Sequence, residues 1–460
     1  MIDSLLKAPP SDRERAKELY DEDHFALALP LYEEICRSPQ ATGWDVHFMA
    51  KCLSKLERYA EALDCCRRAW KMFSEPRPDA VKNLCGWCVY HCDLKPLVTT
   101  DSEDFDEFES DHPAEDAQTD RIQRATKAAS SICEVTTQGN FSPFAKGVLT
   151  VAKILKRIDR WPQVEEWTAR LDPAMLSRDP WTPPRRDNGG TVREIASDLE
   201  TSYGYRTKAL LKVRRYAECV ELCQLYECSG LKSHYDWDVW VPYYRAQALR
   251  ELNRRQEAHS TIDGVIRKKR APSVFRLKAS LLLDDGDKEA AWRVALDGAL
   301  ELHESKNDPE LVLMLARLAK DRGELDAARG QFELILSNRS SQDWKIPEQL
   351  RVEAENAGVV LSGPETVQQT ERRFREMRRW WWKELASSDT RTSGSIERVT
   401  DHSGFVRTAE GDSLYFNSRD FKDARPGMPV DFWVRESSDF KKARVSKCAI
   451  RVRQIRPPNA

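Results

Sequence analysis

Near the start of the chain, small, aromatic and apolar positions return every 34 residues: Ala16, Phe25, Ala28 and Tyr32 are followed by Ala50, Tyr59, Ala62 and Cys66. Between these returns the apolar residues keep the three- and four-residue steps of an amphipathic helix. A short polar stretch breaks each run once. The segments AKELYDEDHFALALPLYEEI (16–35) and AKCLSKLERYAEALDCCRRA (50–69) therefore each predict a helix, a tight turn and a second helix. Alanines at matching points let the two helices approach closely, while the aromatic at the bend and the apolar residue one turn later fill the seam.

A 34-residue helix–turn–helix unit with this signature resembles the tetratricopeptide repeat. The pattern recurs with drift. Ala152, Trp161 and Val164 mark one further unit, and Thr207, Tyr216, Cys219 and Cys223 another. Ala246 and Ala258, then Ala279, Ala291 and Ala295, then Ala316, Gly323, Leu325, Ala328 and Phe332 mark three more, at spacings of 33 to 39 residues. A degenerate copy falls at 79–98, with Gly86 or Cys85 as its small residue. The expectation is a mostly α chain: a solenoid of seven or eight hairpins over about 12–340, each burying itself against its neighbours.

Two segments interrupt the array. Residues 101–120, DSEDFDEFESDHPAEDAQTD, hold ten acidic side chains and no Lys or Arg. Such a block repels itself and buries little, so it reads as a linker; the alternative is an acidic decoy for a basic groove. Residues 177–190, SRDPWTPPRRDNGG, are rich in Pro and Gly and read as a loop. The organisation is then N-terminal hairpins over 1–100, the acidic linker over 101–120, a central array over 121–360, a Trp-rich basic helix and linker over 361–390, and a last domain over 391–460.

That last boundary is a change of period. ETVQQTERRFREMRRWWWKELA (365–386) predicts a capping helix whose Trp380, Trp381 and Trp382 lie about 100° apart, so that they must pack on different neighbours. From 393 the chain alternates instead. GSIERVT, GFVRT, SLYFNS, MPVDFWVRE and ARVSKCAIRVR predict five short strands, enough for a small barrel. The order of motifs resembles the cold-shock domain, an oligonucleotide-binding (OB) fold. Gly394 and Ile396, Gly404-Phe405-Val406, Leu414-Tyr415-Phe416, and Gly427, Val430, Phe432 and Val434 carry the resemblance. It implies single-strand binding on an aromatic platform. Phe405 and Tyr415 keep two platform rings. Arg398, Ser403 and Asn417 stand where the family has a tryptophan, a phenylalanine and a histidine, and His402 replaces little of that loss. Arg407, Lys441, Lys442 and Arg444 add cations, and 391–460 holds 14 Lys/Arg against 9 Asp/Glu.

The tetratricopeptide resemblance also implies a concave face, lined by the residue after each small one: Lys17, Lys51, Lys153, Lys208, Gln247, Ser280 and Arg317. Five of these seven are basic although the whole chain is net −2. Arg13, His47, Lys156, Arg250, Arg276 and Lys320 lie one turn away. This face is expected to hold a protein partner, and its charge would favour an acidic peptide, a carboxyl terminus or a phosphate backbone. It lacks the asparagines of peptide-clamping members of the family.

Composition agrees. Charged residues make up 32% of 460, and the mean hydropathy is −0.64, as expected for helices with one solvated face. No run of about 18 apolar residues occurs, so no membrane span is expected. MIDSLLKAPPSDRER lacks the features of a secretory signal, and a cytoplasmic protein is expected. Among the twelve cysteines, Cys85, Cys88 and Cys92 with His91 have ligand-like spacing, but no second pair lies nearby. They read as packing residues, with no metal or other cofactor expected. No phosphate loop, H-E-x-x-H or nucleophile elbow is present, and the chain is not expected to be an enzyme. The expectation is an adaptor that holds a protein through its helices and single-stranded RNA or DNA through its barrel. By analogy alone, such fusions suggest an accessory subunit in a bacterial nucleic-acid-handling or defence system. The alternative is a protein scaffold with the barrel as a second docking surface.

Overall fold

The computed structural model describes residues 11–98, 115–182, 194–304, 306, 308–359, 365–388, 391–400, 403–418, 421, 423–439 and 444–455. The acidic stretch 101–114 and most of the Pro/Gly-rich segment lie outside them. The chain divides into two compact units, 1–244 and 245–460. Among the described residues there are eighteen α-helices followed by five strands.

In the first unit, α1 (Asp12–Asp21) and α2 (Phe25–Arg37), α3 (Gly43–Lys55) and α4 (Tyr59–Met72), α7 (Phe144–Lys156) and α8 (Trp161–Thr168), and α9 (Asp198–Lys212) and α10 (Tyr216–Cys228) form hairpins. Between them, α5 (Asp79–Val89) continues into a π turn at Tyr90–Leu94, and α6 (Glu115–Val135) follows. Gly86 is the small seam residue of α5, since a Cβ there would lie 2.7 Å from Pro143 and 2.8 Å from Thr136. The unit boundary falls within α11 (Trp237–Glu251). Beyond it come α12 (Arg255–Lys268), the pairs α13 (Pro272–Asp284) with α14 (Lys288–Leu300) and α15 (Pro309–Asp321) with α16 (Leu325–Ser341), then α17 (Glu348–Glu355) and α18 (Val367–Ser388).

One local device makes seven of the hairpin turns. Asp23, Glu57, Asp159, Arg214, Asn253, Gly286 and Gly323 all take a positive φ, between 55° and 84°. In each case the next residue's N–H returns to the carbonyl five residues back, as in His24 to Leu19 at 2.8 Å and Arg254 to Leu249 at 2.9 Å. This is the Schellman ending of a helix. Five of the seven left-handed residues carry a Cβ, at a cost of about 1–2 kcal/mol except where Asn or Asp eases it. Packing offsets that cost. The small residues twelve positions apart across each turn (16/28, 50/62, 152/164, 207/219, 246/258, 279/291, 316/328) are all fully buried. Cys219 even donates its thiol to the Thr207 carbonyl across the seam, at 3.3 Å.

Cysteine serves the same purpose at 85–92. Cys88 lies in the core of the first hairpins beside Cys66, with sulfurs 4.0 Å apart. Cys85 and Cys92 pack against that core half-buried. His91 stacks flat on Tyr59, with ring centroids 4.0 Å apart.

In the second unit, α18 closes the array, and its three consecutive indoles take three directions. Trp381 is fully buried with the last helices, edge-on to Phe374. Trp380 meets Trp292 of α14, and Trp382 meets Trp433 of the barrel. The barrel has β1 (Thr392–Val399), β2 (Gly404–Thr408), β3 (Ser413–Phe416), β4 (Pro429–Asp439) and β5 (Arg444–Gln454). It closes in the order β1-β2-β3-β5-β4, antiparallel except that β3 runs parallel to β5. Ile396, Val406, Leu414, Phe416, Val430, Phe432, Ala449 and Val452 fill it. Gly404 makes room for the Phe416 ring, which would lie 2.2 Å from any Cβ at that position.

Candidate nucleic-acid interface and helical groove

Strand alternation sets the outward face of the barrel. Since Val406, Leu414 and Phe416 point inward, Phe405 and Tyr415 point out. The register places Arg398 opposite Phe405 and Phe405 opposite Tyr415. The Arg398 guanidinium lies 4.2 Å above the Phe405 ring. Phe405 and Tyr415 meet edge to face with centroids 5.9 Å apart. Tyr415 is 44% exposed. One pair further along, Arg407 donates to Glu397 at 2.7 Å, and Ser413 donates to the same carboxylate at 2.6 Å. These two partners hold Glu397 below the usual carboxylate range, the Ser413 hydroxyl first. Asn417 is exposed at the end of β3. His402, Lys441 and Lys442 lie outside the described residues. Arg444 is the first residue of β5, opposite Asp439.

The opposite side of the barrel is used differently. On β4, Val430 and Phe432 face in, so Trp433 faces out, yet it is buried. It is covered edge to face by Trp382, centroids 4.3 Å apart, and by Arg391, 4.5 Å above its ring. Asp431 binds both Arg391 and Arg453, the latter at 2.7 Å. Burial works against ionising Asp431, but the two arginines outweigh it and hold its carboxyl low. The barrel is thus docked by β4 and leaves the β2–β3 face open. Sequence reasoning missed this docking face. Its one sequence signal is Trp433 itself, a large apolar residue on the outward phase of a strand.

The residues expected on the helical groove divide between the units. Lys17 is exposed on α1. Lys51 lies over two rings, 4.8 Å from the centroid of Tyr20 and 5.4 Å from that of Phe48. Lys208 lies 5.2 Å from Trp161 and 5.9 Å from Tyr244, and Lys156 lies 4.9 Å from Tyr205. Lys153 is half-buried on α7. Cations over ring faces are attracted by the ring quadrupole. Arg317 instead makes two bonds to Glu353 of α17, at 2.8 and 2.9 Å.

Arg317 is one of a series in which a basic residue reaches the next hairpin. Arg250 binds Asp284, and Arg276 binds Asp308 at 3.1 Å. In the first unit Arg13 holds Asp45 through two bonds, at 3.1 and 3.0 Å. Sequence reasoning counted these cations without their partners, which lie 32 to 36 residues away. His47 contributes no charge near neutral pH. It is buried on α3, and burial, aided by Lys51, depresses its pKa to about 4.

Residues 239–357 match a family model described as a domain of unknown function, DUF7017. No curated protein matches the chain. Among solved structures, a tetratricopeptide repeat protein from Parabacteroides merdae ATCC 43184 is 10% identical with a TM-score of 0.36, covering 71% of this chain and 99% of its own. The C-terminal part of a TPR repeat-containing protein from Cytophaga hutchinsonii is also 10% identical, with a TM-score of 0.30 and coverage of 75% and 99%. The human IFIT1 dimer with m7Gppp-AAAA is 10% identical, with a TM-score of 0.32 and coverage of 82% of each chain. Among the described residues no helix is long and apolar enough to cross a membrane.

Proposed function

We propose that this protein is a non-catalytic adaptor. Its C-terminal barrel binds single-stranded nucleic acid without strong sequence preference, and its helical array holds a protein partner. One observation carries the barrel assignment: the outward row Arg398–Phe405–Tyr415 runs across β1, β2 and β3, and its Tyr415 ring is exposed. A base can stack on the exposed Tyr415 ring and on the guanidinium plane that Arg398 presents over Phe405. Strand order β1-β2-β3-β5-β4 with β3 parallel to β5 supports the OB-type resemblance. In that fold the β2–β3 face and the β1–β2 and β4–β5 loops take the oligonucleotide. His402 lies in sequence between β1 and β2, and Lys441 and Lys442 between β4 and β5. Phosphate attraction then supplies affinity where the platform lacks rings.

For the protein partner, the support is the ring-backed lysines of the first unit, Lys51 and Lys208 with Lys17 and Lys153 on the equivalent helices. Arg317 enters this role only by releasing Glu353. The test is a titration of the full-length chain with a labelled, unstructured oligonucleotide, as single strand and as duplex, over a salt series. The proposal expects tighter binding of the single strand. It also expects an affinity that falls as salt rises, by about 0.7 log units per log unit of salt for each phosphate contacted. No binding at low salt would leave the protein-scaffold alternative.

A further inference from the structure

The capping helix α18 has two faces with different uses. Its inner face carries Thr370, Phe374, Met377 and Trp381, all buried. Two arginines turn toward the array: Arg373 binds Glu365 and Glu333, and Arg378 donates to the Leu300 carbonyl at 3.2 Å. Capping therefore engages this side of the helix. The outer face carries Arg375, Arg379 and Lys383, all exposed. Among the described residues, Arg375 donates to the Glu371 carbonyl of its own helix, at 3.2 Å. Among the described residues neither Arg379 nor Lys383 has an ion pair. The nearby acids are turned elsewhere: Glu376 pairs with Arg372 at 3.0 Å, and Glu384 with Arg322 at 3.7 Å.

Solvation alone explains this face poorly. Like charges four residues apart oppose each other along a helix by about 0.2–0.5 kcal/mol per pair. Arg375, Arg379 and Lys383 form two such pairs in succession, and among the described residues none of the three has an ion pair to offset them. Their spacing does suit a ligand. At 1.5 Å per residue the three cations stand about 6 Å apart along the axis, the order of one sugar–phosphate step of an extended single strand. The row also ends beside the barrel, because the residue before Lys383 is Trp382, which covers Trp433.

We propose that the outer face of α18 is a phosphate track for the part of a long single strand that runs beyond the barrel's β2–β3 site and round to its docked side, with Arg375, Arg379 and Lys383 each contacting one phosphate. This rests on the barrel binding single strands. The track reads charge and not bases, because all three indoles of the helix are committed to packing.

The test uses the full-length chain, unstructured oligo-U and oligo-dT, and two lengths: about four nucleotides, the low end of what one OB barrel covers, and several times longer. Charge reversal at Arg375→Glu, Arg379→Glu and Lys383→Glu should weaken only the long oligomers, RNA and DNA alike. It should reduce the salt slope for these by about 2, three contacts at about 0.7 each. The milder Arg375→Gln, Arg379→Gln and Lys383→Gln variant relieves like-charge repulsion, so it should melt no lower than wild type. It should lose a comparable slope, and it supplies the readout if the reversal variant does not fold. A long-oligomer slope that neither variant moves would overturn the track while leaving the barrel site standing. A loss confined to RNA would also overturn it, because a phosphate track is blind to the 2′-OH. Wild-type protein that binds no oligomer would remove the barrel assignment and the track together. Binding to phosphatidylserine vesicles that the variants lose, with oligonucleotide binding unmoved, would reassign the face to a lipid surface.

Discussion

Trp382 of the capping helix and Trp433 of β4 meet edge to face, centroids 4.3 Å apart and planes at 73°. This contact joins the helical array of the second unit to its barrel and leaves Phe405 and Tyr415 on the open side. Replacing Trp382 with Ala should uncover Trp433 and lower the unfolding free energy of the unit by about 1–3 kcal/mol, whereas Trp382→Phe should keep most of the contact. Thermal melts of the two variants check this. An unchanged melt for Trp382→Ala would mean that Arg391 and the Asp431 pairs hold the barrel by themselves.

The hairpin seams predict a steric effect. Ala28 and Ala328 are both fully buried at equivalent points of two hairpins. Ala28→Trp and Ala328→Trp should each destabilise by about 1–3 kcal/mol or more, because an indole cannot enter a seam built for a methyl group. Chemical denaturation of the two variants reads this out, and unchanged midpoints in both would contradict the seam assignment.

Those seams were legible because a turn fixes them. Seven small-residue pairs keep the same twelve-residue separation while the spacing between hairpins drifts, since each Schellman turn sets the first distance and nothing comparable sets the second. The divergence of Trp380, Trp381 and Trp382 was legible for a similar reason, from helix geometry alone. The charge on the groove was not. Whether Arg317 or Arg276 is available depends on Glu353 and Asp308, which helix stacking brings into reach from another hairpin. His47 shares a face with Lys51 in sequence, yet it is buried between hairpins. Trp433 hid in the strand pattern because its cover, Trp382, belongs to a different element.

His47 predicts a pH effect. Its folded pKa is about 4, below the ordinary value near 6.5, so the unfolded chain binds its proton first as pH falls. The stability from the neutral buried ring is complete above about pH 6.5 and is lost progressively down to about pH 4, by roughly 3 kcal/mol. His47→Leu should therefore gain stability relative to wild type across that window and show a constant difference above it. Unfolding free energies measured at several pH values from 4 to 8 decide the point, and a flat difference throughout would contradict the burial account.

The central claim is that bases stack on the β2–β3 face of the barrel. The most direct measurement compares oligonucleotide affinity of the full-length wild type with Phe405→Ala and Tyr415→Ala over a series of low salt concentrations. Each loss of a stacking ring should cost about 1–3 kcal/mol, roughly a 5- to 150-fold weaker Kd, with the salt slope unchanged because no phosphate contact is removed. Wild-type affinity in both variants would contradict the claim and reduce the barrel to a charged surface.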